Sequence, residues 1–424
     1  MAHGLSPSSS FDQVFALCKR VFFWWKGIVK THLGLKAFQP FNGALAVGSS
    51  LSFLLALACA YSFLSPRVQQ QADVAASYGP PVPNSSVVTD CNLFEGSWIQ
   101  DQGYIPLYNS SVCPFAERGF NCLANGRRDQ GYLRWRWKPK GCTIPSFNAR
   151  KVLEKLRGKR IVFVGDSLSR TQWESLVCML MTGVDDKRNV YEVNGNKITK
   201  RIRFLGVRFS SYNLRVDFYR SVFLVQTGSV PKRAPKRVKS TLKLDKMDDI
   251  SNEWIDSDFL IFNSGHWWTP SKLFEMGCYY QVGGSLKLGM PINTGFKMAL
   301  ETWASWAASN LNTKRTTVFF RTFESSHWSG KNFASCKVTR NPLTKTKGKE
   351  RNALSNIILK VVKKVAPVPV TVLHVTPMCA SRSDAHVGTW SDNPSVPDCS
   401  HWCLPGVPDT WNEILSSYIL NDNH

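Results

Sequence analysis

Two short stretches far apart in the chain carry the residue types of a serine acyl-transfer site: Gly165-Asp166-Ser167 and Asp398-Cys399-Ser400-His401. The first closes an apolar, β-branched run, Ile161-Val162-Phe163-Val164, and leads into Leu168-Ser169-Arg170-Thr171-Gln172-Trp173-Glu174. That pattern reads as strand, tight turn and helix. A serine at such a turn sits at a helix N-terminus, where unpaired backbone N–H groups can receive an oxyanion. In the second stretch a carboxylate and an imidazole lie within one turn of each other. The carboxylate can fix the imidazole tautomer, and the imidazole can take the serine proton. Each stretch alone has a plainer reading, since a serine after Gly-Asp often caps a helix and Asp-x-x-His arises by chance. Together they make Ser167 the candidate nucleophile, His401 its general base and Asp398 the orienting carboxylate. Asp166 is read as structural, its carboxylate bonding amides of the turn.

Further candidates surround this pair. Asn263 follows the run Phe259–Phe262 and could donate a side-chain N–H to the oxyanion; its alternative is a turn former at a strand end. Arg170 and Arg321 are candidate binders of an anionic sugar or donor, with a structural salt bridge as the equal alternative. Trp267 and Trp268 offer indole faces on which a pyranose can stack. The chain has 15 tryptophans, most of them expected in the core, but two adjacent on one loop are hard to bury together. His266 and His327 are given no catalytic role. Cys399 and Cys403 bracket His401 in a spacing that zinc could use. No second pair at ligand spacing lies nearby and His401 already belongs to the triad, so no metal site is expected.

Four segments then carry a resemblance: Gly165–Arg170, Asn263–Trp268, Phe320–His327, and the long Asp398-Cys399-Ser400-His401-Trp402-Cys403-Leu404-Pro405-Gly406-Val407-Pro408-Asp409-Thr410-Trp411-Asn412-Glu413. From about Asp90 to Leu420 the chain resembles the plant trichome birefringence-like family of cell-wall polysaccharide O-acetyltransferases. The resemblance implies an α/β, SGNH-hydrolase-like three-layer sandwich with a parallel sheet, a Golgi location, and transfer of acetyl groups to wall glycans. It leaves the acceptor glycan open. No nucleotide or coenzyme fingerprint is visible, so no bound cofactor is expected and the acetyl donor is unidentified. An acetyl esterase with the same triad and a non-catalytic wall-glycan-binding protein are the alternatives.

Topology follows from charge and hydropathy. Residues 37–65 contain no charged side chain, and Ala44 to Leu64 has the length and apolarity of one membrane-crossing helix. Lys19, Arg20, Lys26, Lys30 and Lys36 precede it, which places residues 1–36 in the cytosol as a tail and the rest in the lumen. A cleaved signal peptide, suggested by Ala56-Leu57-Ala58, is the competing reading, but the apolar run is too long and starts too late. Residues 66–89 form a Pro- and Gln-containing stem, and 90–424 the luminal catalytic domain. Sequons at Asn84 and Asn109 agree with a luminal glycoprotein. Of 12 cysteines, all but Cys18 and Cys59 fall on the luminal side, an even set that reads as disulfides. Cys399 and Cys403 should each reach a distant cysteine and anchor the His401 loop, while Cys278 and Cys379 pair with each other or stay free.

Short apolar runs at Arg160–Gly165, Phe218–Val225, Phe259–Ser264, Val318–Thr322 and Thr371–Thr376 are the expected strands. Helical patterns cover Arg170–Thr182, Gly295–Asn310, Ser355–Val365 and Pro408–Leu420. The Cys-rich segment Asp90–Pro145 and the region Tyr191–Asp249 are expected to pack around that core as a smaller lobe. The net charge is +23, and Lys232, Arg233, Lys236, Arg237, Lys239 and Lys243 form one run. A membrane span and disulfides argue against nucleic acid, leaving polyanionic glycan or the membrane surface as partner. The run tilts the acceptor toward pectin of the rhamnogalacturonan type over neutral xyloglucan or mannan.

Overall fold

The computed structural model describes residues 91–329, 335–365 and 367–422. The expected tail, membrane helix and stem, with the Asn84 sequon, lie outside them; among the described residues no helix is long and apolar enough to cross a membrane. Asn109 is exposed.

Seven strands build the central sheet: β1 (Arg160–Gly165), β2 (Val190–Glu192), β3 (Phe204–Phe209), β4 (Leu214–Arg220), β5 (Phe259–Asn263), β6 (Thr317–Arg321) and β7 (Val370–Leu373). Their order is β7-β6-β5-β1-β4-β3-β2. Five neighbours, β7 to β4, run parallel, and β3 is antiparallel to β4 and β2. The central strands are apolar throughout because both faces are covered. Ile161, Phe163, Phe259, Ile261 and Phe319 enter one core with α1 (Ala149–Lys155), α2 (Ser167–Met181) and α5 (Val407–Asn421). The alternate residues Val162, Val164, Leu260, Phe262, Val318 and Phe320 enter the other with α3 (Ile292–Asn310) and α4 (Ala353–Val362). The result is a helix–sheet–helix sandwich with the carboxyl ends of β1, β4, β5 and β6 along one crest.

Three expectations change. The sheet is mixed, because β3 runs antiparallel to both of its neighbours, β4 and β2. Residues 204–220 belong to this sheet and not to a lobe; the expected strand Phe218–Val225 is broken after Arg220, and Leu224 turns the chain with φ 63°. Only Val225–Gly228 and Ser240–Met247 leave it, joining Cys278–Val282 and Ser285–Lys287 in a four-stranded sheet on α3. The Cys-rich segment is less a separate lobe than a strap. Its strands Gly96–Gln100 and Trp135–Pro139 pair antiparallel with Trp98 opposite Trp137, and Phe94, Tyr108, Phe115, Phe120 and Tyr132 share one core with α2 and α5.

Buried polar contacts tie the strap down. Tyr108 and Ser175 both donate to Asp409 Oδ1, at 2.9 and 2.6 Å, and Gly406 N donates to Oδ2. Burial pushes the Asp409 carboxyl up to about 6. Burial, and then the charge of Asp409, push Glu413 up to about 7. An acid whose folded pKa is raised holds its proton when the unfolded chain has released it. Its favourable contribution is therefore present at acid pH and lost as pH rises through the folded value. The share of stability these two acids carry should fall between pH 5 and 7.5, and Glu413→Gln should remove its part of that fall, stabilising relative to wild type by about 1–3 kcal/mol more at pH 7.5 than at pH 5. Denaturant melts at the two pH values check this; an unchanged slope in Glu413→Gln would refute it.

Candidate active site

Strand β1 ends on Gly165, where any side chain is excluded: a Cβ would lie 1.9 Å from Asn263 Oδ1 and 2.6 Å from the Asn263 carbonyl oxygen. The turn after it is locked by a reciprocal pair. Asp166 N donates to Asn263 Oδ1 at 3.3 Å, and Asn263 Nδ2 donates back to Asp166 Oδ1 at 3.0 Å. Asp166 also caps α2, accepting from Leu168 N at 2.9 Å. Ser167 is thereby set as the first residue of α2, at the carboxyl end of the sheet, where ligand crevices of α/β folds lie.

The hairpin His386–Gly388 with Asp398–Trp402 brings the partners. His401 Nε2 lies 2.7 Å from Ser167 Oγ, and His401 Nδ1 lies 2.6 Å from Asp398 Oδ2. Asp398 Oδ1 meanwhile accepts from Ser400 N and His401 N, both at 2.9 Å. One carboxylate therefore shapes the turn and fixes the tautomer, so that Nδ1 carries the proton and Nε2 is free to accept from Ser167. Burial works to raise the Asp398 carboxyl, but the His401 imidazole and these hydrogen bonds hold it well below the usual carboxylate range. Cys399 is bonded to Cys336 and Cys403 to Cys122, so both ends of the catalytic strand are pinned and neither sulfur is a free thiolate.

Residues 144–418 match a family model described as a GDSL/SGNH-like acyl-esterase family found in Pmr5 and Cas1p, and residues 89–143 match the PMR5 N-terminal domain. The chain is 60% identical over 382 residues to trichome birefringence-like 7 of Arabidopsis thaliana, spanning 90% of this chain and 84% of that protein. Trichome birefringence-like 9 of the same plant is 40% identical over 358 residues, 80% of this chain and 86% of its own. The chain belongs to the trichome birefringence-like family. With the acyl-esterase domain, this makes it an enzyme of acyl-ester chemistry, an esterase or an acetyltransferase.

The remaining candidates of this trichome birefringence-like protein separate by burial. Asn263 is 2% exposed, and its Nδ2 donates to Asp166, so one of its two N–H bonds lies outside that pair. Arg170 is not a ligand for substrate: it is buried and ion-paired with Glu117 and Glu174, clamping the strap to α2. Arg321 is likewise withdrawn, fully buried, paired with Glu324 and 4.3 Å over the Trp411 ring. Burial lowers its pKa to about 10, still leaving it charged near neutrality. Trp268 is a core residue at 3% exposure, packed on Phe223, Tyr280 and Phe296. Trp267 stays half-buried between the Arg220 guanidinium at 5.3 Å and the Lys272 ammonium at 5.1 Å. Arg220 ends β4 in register with Gly165, which puts that aromatic-cation stack on the crest.

Some of the support had no legible signal. His386 Nδ1 donates to the His401 carbonyl at 2.9 Å, and its Nε2 meets His327 Nδ1 at 2.7 Å, while His327 Nε2 donates to Ala380 O. The two carbonyl contacts and the shared contact ask for three ring protons on two imidazoles, whereas burial pushes His327 down to about 4 and His386 well below its ordinary value. The neutral pair that burial favours therefore keeps the two carbonyl contacts, and the contact between the rings is the one short of a proton. Phe120 stacks on the His401 ring at 5.5 Å. No spacing along the chain joins these residues, which meet only through the fold.

Two outcomes follow. Ser167→Ala should abolish turnover of a small acetyl ester without unfolding, and Asp398→Asn should lower it by about 10³–10⁴ because an amide no longer fixes the tautomer; ester hydrolysis by purified, melt-checked protein reads both. Replacing Cys336 and Cys399 together by Ser should cost about 2–4 kcal/mol in a denaturant melt and lower turnover. Full activity in that variant would show that the bridge does not hold the His401 loop.

Proposed function

We propose that this protein is an O-acetyltransferase that carries an acetyl group on Ser167 to a hydroxyl of a cell-wall polysaccharide. The observation that carries this reading is the continuous Ser167–His401–Asp398 contact at the crest of the sheet. In the first half-reaction His401 Nε2 takes the Ser167 proton as Oγ attacks the acetyl carbonyl of a donor. The tetrahedral oxyanion is met by the Ser167 N–H and the second N–H of Asn263, and the leaving group departs with the proton from His401. In the second, His401 takes the proton of a sugar hydroxyl, which attacks the acetyl-serine; Ser167 then recovers its proton. An acetyl esterase would use the same steps with water in place of the sugar. A purely glycan-binding protein would have no need of the tautomer-fixing bond to Asp398.

The sequence supports a single-pass type II Golgi membrane protein with this domain in the lumen. A pectic acceptor of the rhamnogalacturonan type is supported by charge. Lys232, Arg233, Lys236 and Arg237 are exposed on the 229–239 connection, without an ion pair among the described residues. Lys243 does not share that role, since it lies on a strand and donates to Gln226 Oε1 at 3.0 Å.

A luminal-domain assay on defined oligosaccharides, read by mass for one added acetyl group, tests transfer against hydrolysis. Transfer to a pectic oligosaccharide should weaken with added salt, chiefly through KM, as the screening length shortens to about 8 Å at physiological ionic strength. Replacing Lys232, Arg233, Lys236 and Arg237 by Ser should mimic the salt effect while sparing turnover at saturation. Equal transfer to neutral xyloglucan or mannan oligosaccharides, insensitive to both changes, would reject the pectic acceptor; release of free acetate alone would favour the esterase.

A further inference from the structure

A second basic surface lies directly against the catalytic loop. Ser326 and Trp328, with the turn from Lys347 to Asn352, line an open hollow of about 530 Å³. Its wall is continuous with the triad. Trp328 Nε1 donates to Ser400 Oγ at 2.8 Å, Ser326 Oγ meets the same oxygen at 3.0 Å, and Ser400 N donates to Asp398. Ser400 is the chain neighbour of His401. Two residues of the hollow's wall, Ser326 and Trp328, are thus bonded to the residue beside the general base.

The charge of the hollow is one-sided. Lys347, Lys349 and Arg351 line it and no carboxylate does. Lys347 and Arg351 are exposed and make no ion pair among the described residues. Lys349 donates one N–H to the Ser326 carbonyl at 2.5 Å, which leaves its other two unused in that bond. Burial, and then the charge of Lys347, lower the Lys349 pKa. Glu350, between Lys349 and Arg351 in sequence, accepts from Thr346 Oγ1, and its pKa is held below its ordinary value first by that bond and last by the charge of Arg351; it offsets part of the Arg351 charge but does not line the hollow. The turn is fixed, with Lys347 and Gly348 at φ 53° and 81° and Arg351 N bonded to Gly348 O at 3.1 Å. Asn352 caps α4 through Leu354 N and Ser355 N, so the positive end of a helix adds to the same field.

We propose that this hollow is the acceptor subsite for a uronic-acid residue, its carboxylate taken by Lys347 and Arg351 and its ring by Trp328, so that the adjoining sugar is presented to Ser167. The inference rests on the polysaccharide-acceptor reading above and sharpens it from a recruiting charge to a positioned one. A phosphorylated acyl donor shares the anionic chemistry. An open hollow with separated single cations and an indole suits a carboxylated sugar better than a compact phosphate cradle.

The test is direct binding to the full luminal domain carrying Ser167→Ala, so that no acyl transfer enters the measurement. Trigalacturonate, its neutral methyl ester and coenzyme A are titrated by calorimetry. Adding Lys347→Ser and Arg351→Ser should weaken trigalacturonate about five- to tenfold, as the loss of two surface ion pairs requires. The methyl ester should bind weakly and equally with and without the change, and the surface control Lys297→Ser should leave trigalacturonate binding intact. Three results would overturn the proposal: trigalacturonate affinity unchanged by the pair but lost on replacing Lys232, Arg233, Lys236 and Arg237; a methyl ester as tight as the acid; or coenzyme A, and not trigalacturonate, weakened by the pair. Failure of wild-type protein to acetylate any oligosaccharide, with the expected binding pattern intact, would sink the transferase reading and leave the subsite standing.

Discussion

The hydrogen bond between Ser167 and His401 spans 234 residues of chain, and most of the irregular structure serves to keep it short. One partner needs little help. Ser167 rides on a central strand and the first turn of a helix, held by the Asp166–Asn263 exchange. The other stands on a two-stranded hairpin that carries no regular layer of its own. Its position is imposed by two disulfides, by Phe120 on one side of the imidazole and by His386 on the carbonyl behind it. Active-site geometry tolerates displacements of only about 0.5 Å, so a loop without these ties would lose the contact.

Those ties bring ionic groups inside. Arg170 with Glu117 and Glu174, and Arg321 with Glu324, sit largely buried beneath the crest. Buried pairs of this kind add little net stability, because desolvation offsets the attraction, yet removing one partner leaves an uncompensated charge. Their physical value here is registry. Glu117 belongs to the strap, Glu174 to α2 and Arg170 spans both, so the strap that supplies Phe120 and Cys122 can dock in one arrangement only.

Positive charge is spread unevenly around this frame. The exposed 232–237 cations lie on a connection of the second sheet, whereas Lys347, Lys349 and Arg351 border the loop that holds the base. The first set can raise the local concentration of a polyanion. The second is placed to orient one, because two residues of its wall are bonded to Ser400.

By itself, the sequence was enough to name the chemistry and the layers. Continuous apolar runs mark strands covered on both faces, and a Gly-Asp-Ser turn before a helix, with Asp and His three apart, marks a nucleophile and an oriented base. These are local patterns, set by side-chain alternation and by the reach of a single turn. The tertiary structure decided what depends on contacts across the chain. Arg170, Arg321 and Trp268 read as ligands because a charged or aromatic side chain beside a motif looks the same whether it faces a cleft or a core. Only their partners, Glu117 and Glu174, Glu324, and the Phe223–Phe296 cluster, turn them inward. β2 and β3 joined the sheet through pairing that no periodicity announces, and the pairing of eight cysteines follows from which loops the finished core brings within bonding distance. The hollow at Lys347 to Asn352 is of the same kind: its residues are ordinary in sequence, and only the fold sets them beside Ser326 and Trp328, which bond to Ser400.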